Sequence, residues 1–282
     1  MSATHFIKSK LQLWAIRKGI PLIGSKIIKG GKYYTQNRDD NFFLPPSSPT
    51  ENDFKNANGQ EFGNGIDPGK IQALHSSSAL AVNFFEYWKA SSDKEFLAKG
   101  LKIPSKNIVD IRFEQKYPIL NRNHPPPNID VEIQYKNNNV CAIECKFTEA
   151  YSKRENTNGI QTEYMKNASW TGLSNLLAYA KSICPKDGTN KYLHPAQLIK
   201  HTLGLMNKFK DKRKFRLVYL WYDANGEEGS VHRKELDSFS AIMKNDGISF
   251  QSITWQELIT NMATKHFPAH KGYFDYITER YL

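Results

Sequence analysis

Two short alternating stretches joined by three asparagines constrain this chain more than any other feature. In residues 129–135, Ile129, Val131, Ile133 and Tyr135 alternate with Asp130, Glu132 and Gln134. In residues 140–147, Cys141, Ile143, Cys145 and Phe147 alternate with Val140, Ala142, Glu144 and Lys146. A period of two is the period of a β-strand, whose successive side chains point to opposite faces. Asn137-Asn138-Asn139 lies between the stretches, and asparagine tolerates positive φ, so the segment reads as a hairpin. Keeping both odd-numbered apolar rows on one face excludes a two-residue turn. A three-residue loop that pairs Lys136 with Val140 is then expected, with Lys146 opposite Asp130 and Glu144 opposite Glu132 on the polar face.

The flanking sequence reads as further elements of an α/β domain. Residues 70–90 carry Ile71, Leu74, Leu80, Val82, Phe84, Phe85 and Trp88 as the apolar face of a helix, with Glu86 near its end. Residues 108–119 read as a strand that Pro118 limits, and Pro125, Pro126 and Pro127 mark a rigid extended entry to the strand after it. Residues 153–167 are polar and read as a loop near the hairpin, followed by a helix over 170–183. A second core helix is expected over 196–209, with Leu198, Ile199, Leu203, Leu205 and Met206 inward and Gln197, Lys200, His201 and Lys208 outward. It leads to a strand over 215–222. From 223 onward a helix, a short strand near 248–253 and terminal helices are expected to extend the sheet or cover its edge. The closing aromatics Phe267, Tyr273, Phe274, Tyr276 and Tyr281 read as packing for the last helix. The domain is thus expected over 70–282, with a core at 70–222 and an extension at 223–282.

Charge narrows the partner. The net charge is +11, and residues 1–38 contribute +8 of it, from eight Lys and Arg without one Asp or Glu. Such a balance favours a polyanion such as nucleic acid. The expectation is a basic N-terminal arm over 1–38; a targeting peptide or membrane-surface helix would share its composition. Residues 39–69, rich in Asn, Asp, Pro, Ser and Gly, read as a linker or surface strap. No long apolar stretch offers a membrane span. Cys141, Cys145 and Cys184 form no disulfide or CxxC pattern, which fits a reducing, cytoplasmic compartment.

Two carboxylates and an ammonium on the shared face of a hairpin suit divalent-metal phosphodiester chemistry, because hard oxygen ligands hold Mg²⁺ while leaving positions for water and phosphate. At these residues the chain resembles the PD-(D/E)XK nuclease superfamily. Pro127-Asn128-Ile129-Asp130 is a loose form of the first half-motif and Glu144-Cys145-Lys146 the second. Pro127 and Asp130 are not adjacent here, and cysteine fills the middle position. The resemblance covers about residues 70–222. It implies a restriction-endonuclease-like core in αβββαβ order, with a mixed central sheet flanked by helices. It also implies that Asp130, Glu144 and the main-chain carbonyl of Cys145 bind Mg²⁺, with Mn²⁺ a substitute, and that Lys146 orients or activates the attacking water.

Other residues stand beside this set. Glu114-Gln115-Lys116, preceded by Asp110, is a second Glu-x-Lys, but both its halves fall on one strand. The resemblance suggests Glu86 as a further carboxylate and Gln197 as a helix residue near the metal, with His201 in place of the usual tyrosine. Thr148 and Glu149 read as substrate contacts or strand-end caps. Lys210, Lys212, Arg213 and Lys214 form a basic run suited to a phosphate backbone. The expected activity is hydrolysis of nucleic acid, DNA rather than RNA, by a restriction-type endonuclease that acts as a homodimer if its target is palindromic. The alternative is a nucleic-acid-binding module that keeps the fold without catalysis.

Overall fold

The computed structural model describes residues 1–282 apart from 26–30, 58–60, 64–66, 121–123, 153–158 and 267, and the side chain of His266. Lys26 and Lys29 of the basic N-terminal segment, part of the polar stretch 153–167, and Phe267 therefore lie outside the described residues.

The chain opens with helix α1 (Ala3–Arg17), a small pair of strands β1 (Leu22–Ile23) and β2 (Tyr34–Thr35), and α2 (Ser48–Asn56). Helices α3 (Ser77–Ala90) and α4 (Lys94–Gly100) precede three strands, β3 (Ile108–Lys116), β4 (Asn128–Tyr135) and β5 (Val140–Lys146). Then come α5 (Ser174–Ser182), α6 (Pro195–Phe209), β6 (Phe215–Trp221), α7 (Glu227–Asn245), β7 (Phe250–Thr254), α8 (Trp255–His266) and α9 (Lys271–Tyr281). The main sheet runs β3-β4-β5-β6-β7. Its first three strands are antiparallel, whereas β5, β6 and β7 are parallel. Parallel neighbours need a crossover. Helices α5 and α6 supply the first and α7 the second, so the result is an α/β fold with a mixed sheet flanked by helices.

The hairpin keeps the expected faces and changes the expected register. Gln134 pairs with Val140 and Val131 with Ile143, where Lys136 had been expected against Val140. The loop is Lys136-Asn137-Asn138, with Asn138 at φ +61°. Asn138 N–H donates to the Tyr135 carbonyl at 3.0 Å, and Tyr135 N–H to that of Asn139 at 3.0 Å. A three-residue loop closes with its last residue left-handed, and Asn138 takes that place. Alternation fixes only the parity of pairing, so a two-residue shift leaves every side chain on its face. Carried one pair beyond Val131 and Ile143, this register sets Asp130 opposite Glu144.

The N-terminal segment is docked rather than a loose arm. Ile7, Leu11 and Trp14, spaced as one helical stripe, are buried in the core shared with the sheet. Residues 39–69 likewise hold α2, which covers the open edge of β3: Asp53 accepts from Phe113 N–H at 3.1 Å and Arg112 Nε at 3.0 Å. An edge strand shielded in this way cannot template further pairing. Arg280 of α9, fully buried, donates to the Asn41 carbonyl at 2.8 Å, and its guanidinium lies 4.4 Å from the Trp14 ring centroid. One side chain thus ties both N-terminal segments to the last helix. Residues 223–282 are equally integral, since β7 is the fifth strand of the sheet.

Helix α6 crosses the even-numbered face of the sheet at close range. A Cβ on Gly204 would meet the Tyr117 carbonyl oxygen at 2.7 Å and the Tyr117 Cβ at 2.8 Å, so only glycine permits this approach.

Candidate active site

Four acidic or basic side chains from three adjacent strands converge at one end of the sheet. Asp130 comes from the start of β4, Glu144 and Lys146 from the end of β5, and Glu114 from β3. All are at even-numbered positions, and the register that aligns the apolar odd rows also aligns these. Asp130 Oδ2 accepts from Cys145 N–H at 2.7 Å, which fixes the carboxylate against the neighbouring strand. Glu144 is fully buried. Its Oε1 is ion-paired with Lys146 Nζ, and its Oε2 lies 2.8 Å from Nε2 of His201 on α6. The Cys145 side chain is itself buried in the core.

Glu114 belongs to this cluster although it was read as part of a competing motif. It sits at φ +52°, a conformation rare for a residue with a Cβ. Asn128 Nδ2 donates to its Oε2 at 2.9 Å. The structure joins the two Glu-x-Lys motifs by placing β3 beside β4, which neither motif shows alone.

The electrostatics record the crowding. Burial, then the charges of Glu144 and Glu114, hold Asp130 well above the usual carboxylate range against the opposing pull of Lys146. Glu114 is pushed up to about 7 by burial and by Glu61 and Glu144, against the Asn128 hydrogen bond and the Lys146 charge. Burial acts to raise Glu144 too, but Lys146 and His201 outweigh it and bring it down to about 2. Burial acts to lower Lys146, and Glu144 and Asp130 raise it instead. One carboxylate is therefore kept ionised by Lys146 and the contact with His201 while its neighbours resist ionisation.

The other expected residues fall in different places. Gln197 lines a cavity of about 360 Å³ together with Asn128, Lys200 and His201, so it stands on the wall beside the cluster. His201 and Lys200 had been expected outside; His201 is fully buried and Lys200 half-buried, because the polar face of α6 meets the polar face of the sheet. Glu86 is not in the cluster: its carboxylate accepts from Ser47 N–H at 2.9 Å and the Thr50 hydroxyl at 2.7 Å, at the start of α2. Thr148 donates to the His75 carbonyl at 3.3 Å, and Glu149 accepts from Phe147 N–H at 3.1 Å, so both fasten the strand end. Lys210, Lys212, Arg213 and Lys214 lie at the opposite end of β6, since Val140 pairs with Phe215 and Lys146 with Trp221.

Among the described residues no group of three or more His, Cys, Asp or Glu side chains is placed to hold a metal ion. Asp130 and Glu144 supply the number of carboxylates that Mg²⁺ requires, since it binds through one or two and keeps waters. The three carboxylates of Asp130, Glu144 and Glu114 outnumber the Lys146 ammonium, an excess that a bound cation would offset.

A mixed sheet flanked by helices, with an aspartate, a glutamate and a lysine at one end of its inner strands, is compatible with a restriction-endonuclease-like protein. The chain belongs to the REase-ARP family, described as Restriction Endonuclease associating with ARP, which it matches over residues 12–282. This membership supports a nuclease-like function and a nucleic-acid substrate. No curated protein and no solved structure gave a significant match. Among the described residues no helix is long and apolar enough to cross a membrane.

Proposed function

We propose that the chain is a metal-dependent nuclease of the PD-(D/E)XK type that hydrolyses phosphodiester bonds of DNA as a restriction-type endonuclease. The observation that carries this reading is the convergence of Asp130, Glu144 and Lys146 at one end of the sheet. Asp130, Glu144 and the Cys145 carbonyl would hold Mg²⁺, which would neutralise charge that develops on the phosphate.

The chain's own residues supply the rest. Lys146, held between the carboxylates, donates hydrogen bonds and so orients the attacking water and a phosphate oxygen. The water oxygen gives up a proton and forms a new bond to phosphorus, a bridging P–O bond breaks, and the departing oxygen takes up a proton, so that no net proton is needed. His201 holds Glu144 in place, and the cavity beside it, with Gln197 and Lys200, gives the substrate backbone a polar approach.

Cleavage of circular and linear DNA with Mg²⁺, Mn²⁺ or EDTA tests the reading, with folded Asp130→Ala and Lys146→Ala variants alongside. Metal-dependent cutting that both variants lose supports it, and cutting of the circle identifies endonuclease action. Cutting retained in both would sink the site. Salt-sensitive DNA binding without cutting by any form would favour the binding-module alternative.

A further inference from the structure

The basic turn before β6 faces a cavity of its own. Parallel pairing puts Lys212, Arg213 and Lys214 where β5 begins, about 20 Å from Lys146 at roughly 3.3 Å per residue. A cavity of about 590 Å³ opens there, within the size range of small-molecule sites. Its floor is apolar and buried, formed by Tyr135, Val140 and Phe215. Five cations surround it, Lys106 and Arg216 joining the three of the turn, and none of the described residues that line it is acidic.

The pairing of these cations shows what the cavity lacks. Among the described residues only Arg213 is paired with a carboxylate, that of Asp211 at 3.0 Å, and the Arg213 side chain is 90% exposed. Such an exposed pair is weak. Arg216 donates to the neutral Gln251 Oε1 at 3.2 Å. Lys210, exposed, donates to Asn207 Oδ1 at 2.8 Å, and Lys212, partly buried, donates to the carbonyls of Gly172 and Asp246 at 2.6 and 2.5 Å. Among the described residues, Lys106, Lys214 and Arg216 thus stand around one concavity without a carboxylate partner. Asn139 lines the same wall, and its buried Oδ1 has no hydrogen-bond partner.

We propose that this cavity is a second ligand site, separate from the carboxylate cluster, for a phosphorylated small molecule of nucleotide size. Its phosphates would lie against Lys106, Lys214 and Arg216, and its flat apolar portion on the Tyr135–Phe215 floor. The inference does not depend on the proposed nuclease activity.

Calorimetric titration of the full chain in EDTA tests it, with ATP, inorganic pyrophosphate and a short DNA duplex as probes. Saturable ATP binding is expected, weakened at least tenfold in a Lys106→Ala, Lys214→Ala double variant and unchanged in Asp130→Asn. Both lysines are exposed, so the double variant is expected to fold, and circular dichroism checks this. No saturable ATP binding, or equal weakening in Asp130→Asn, would overturn the proposal. Pyrophosphate binding as tightly as ATP would overturn the role of the floor. Duplex binding that falls in the double variant, without ATP binding, would assign the surface to nucleic acid instead.

Discussion

His201 on α6 and Glu144 on β5 meet at 2.8 Å, both side chains fully buried, so the helix that crosses the sheet is fastened to it at the candidate active site. Packing and chemistry share this contact. Gly204, three residues along α6, lets the same helix approach Tyr117 closely.

Replacing His201 with alanine would leave a buried carboxylate oxygen without that partner. The expected cost is about 1–3 kcal/mol, read as a lower urea midpoint, with at least a tenfold loss of any cleavage activity. His201→Gln, which restores a donor, should recover most of the stability. An unchanged midpoint in His201→Ala would show that the contact does not hold the helix.

Glu114 predicts a pH dependence. Its carboxyl is raised from an ordinary 4.5 to about 7, so between those values the folded chain keeps a proton that the unfolded chain has released. Its contribution therefore makes stability fall as pH rises through that window, and the penalty is full above it. Glu114→Gln should flatten the melting temperature against pH between 4.5 and 7 and stabilise the protein above 7. A variant profile parallel to the parent's would contradict the raised carboxyl.

Asn138 closes the hairpin at φ +61°. Asn138→Val should cost about 1–2 kcal/mol, because a β-branched side chain opposes the left-handed conformation. Asn138→Gly should cost little. Denaturant midpoints separate the two, and equal losses would mean that the loop is not held in that conformation.

Arg280 joins α1, the strap and α9 through Trp14 and Asn41. Arg280→Met should lower stability by about 3 kcal/mol, from lost charged hydrogen bonds and ring contact, and should expose α1 to proteolysis. Arg280→Lys should not rescue it, since an ammonium lacks the planar fork. Limited proteolysis with thermal melting would decide; a stable, protease-resistant Arg280→Met would separate α1 from this anchor.

The strands and their faces were legible because alternation is a local property. Asp130, Glu144 and Lys146 could be placed on one face from spacing alone, and the lone asparagine run marked the turn. The register was not legible, since parity permits shifts of two and only loop closure at Asn138 chose among them. Glu114 was visible as a motif but separate, because nothing in the residues 108–119 states that β3 lies beside β4. The polar residues of α6 read as solvent-facing by the usual amphipathic rule, and that rule fails where a helix covers a polar site.

The sequence by itself therefore determined the hairpin, the even-row placement of three charged residues, and the excess of positive charge. Tertiary structure decided which acids meet, that Glu86 serves α2 rather than the cluster, and that the basic turn lies at the far end of the sheet. Spacing along a chain fixes which way a side chain points; contacts between distant segments depend on strand order and on how closely helices pack, and these emerge only when the whole core closes.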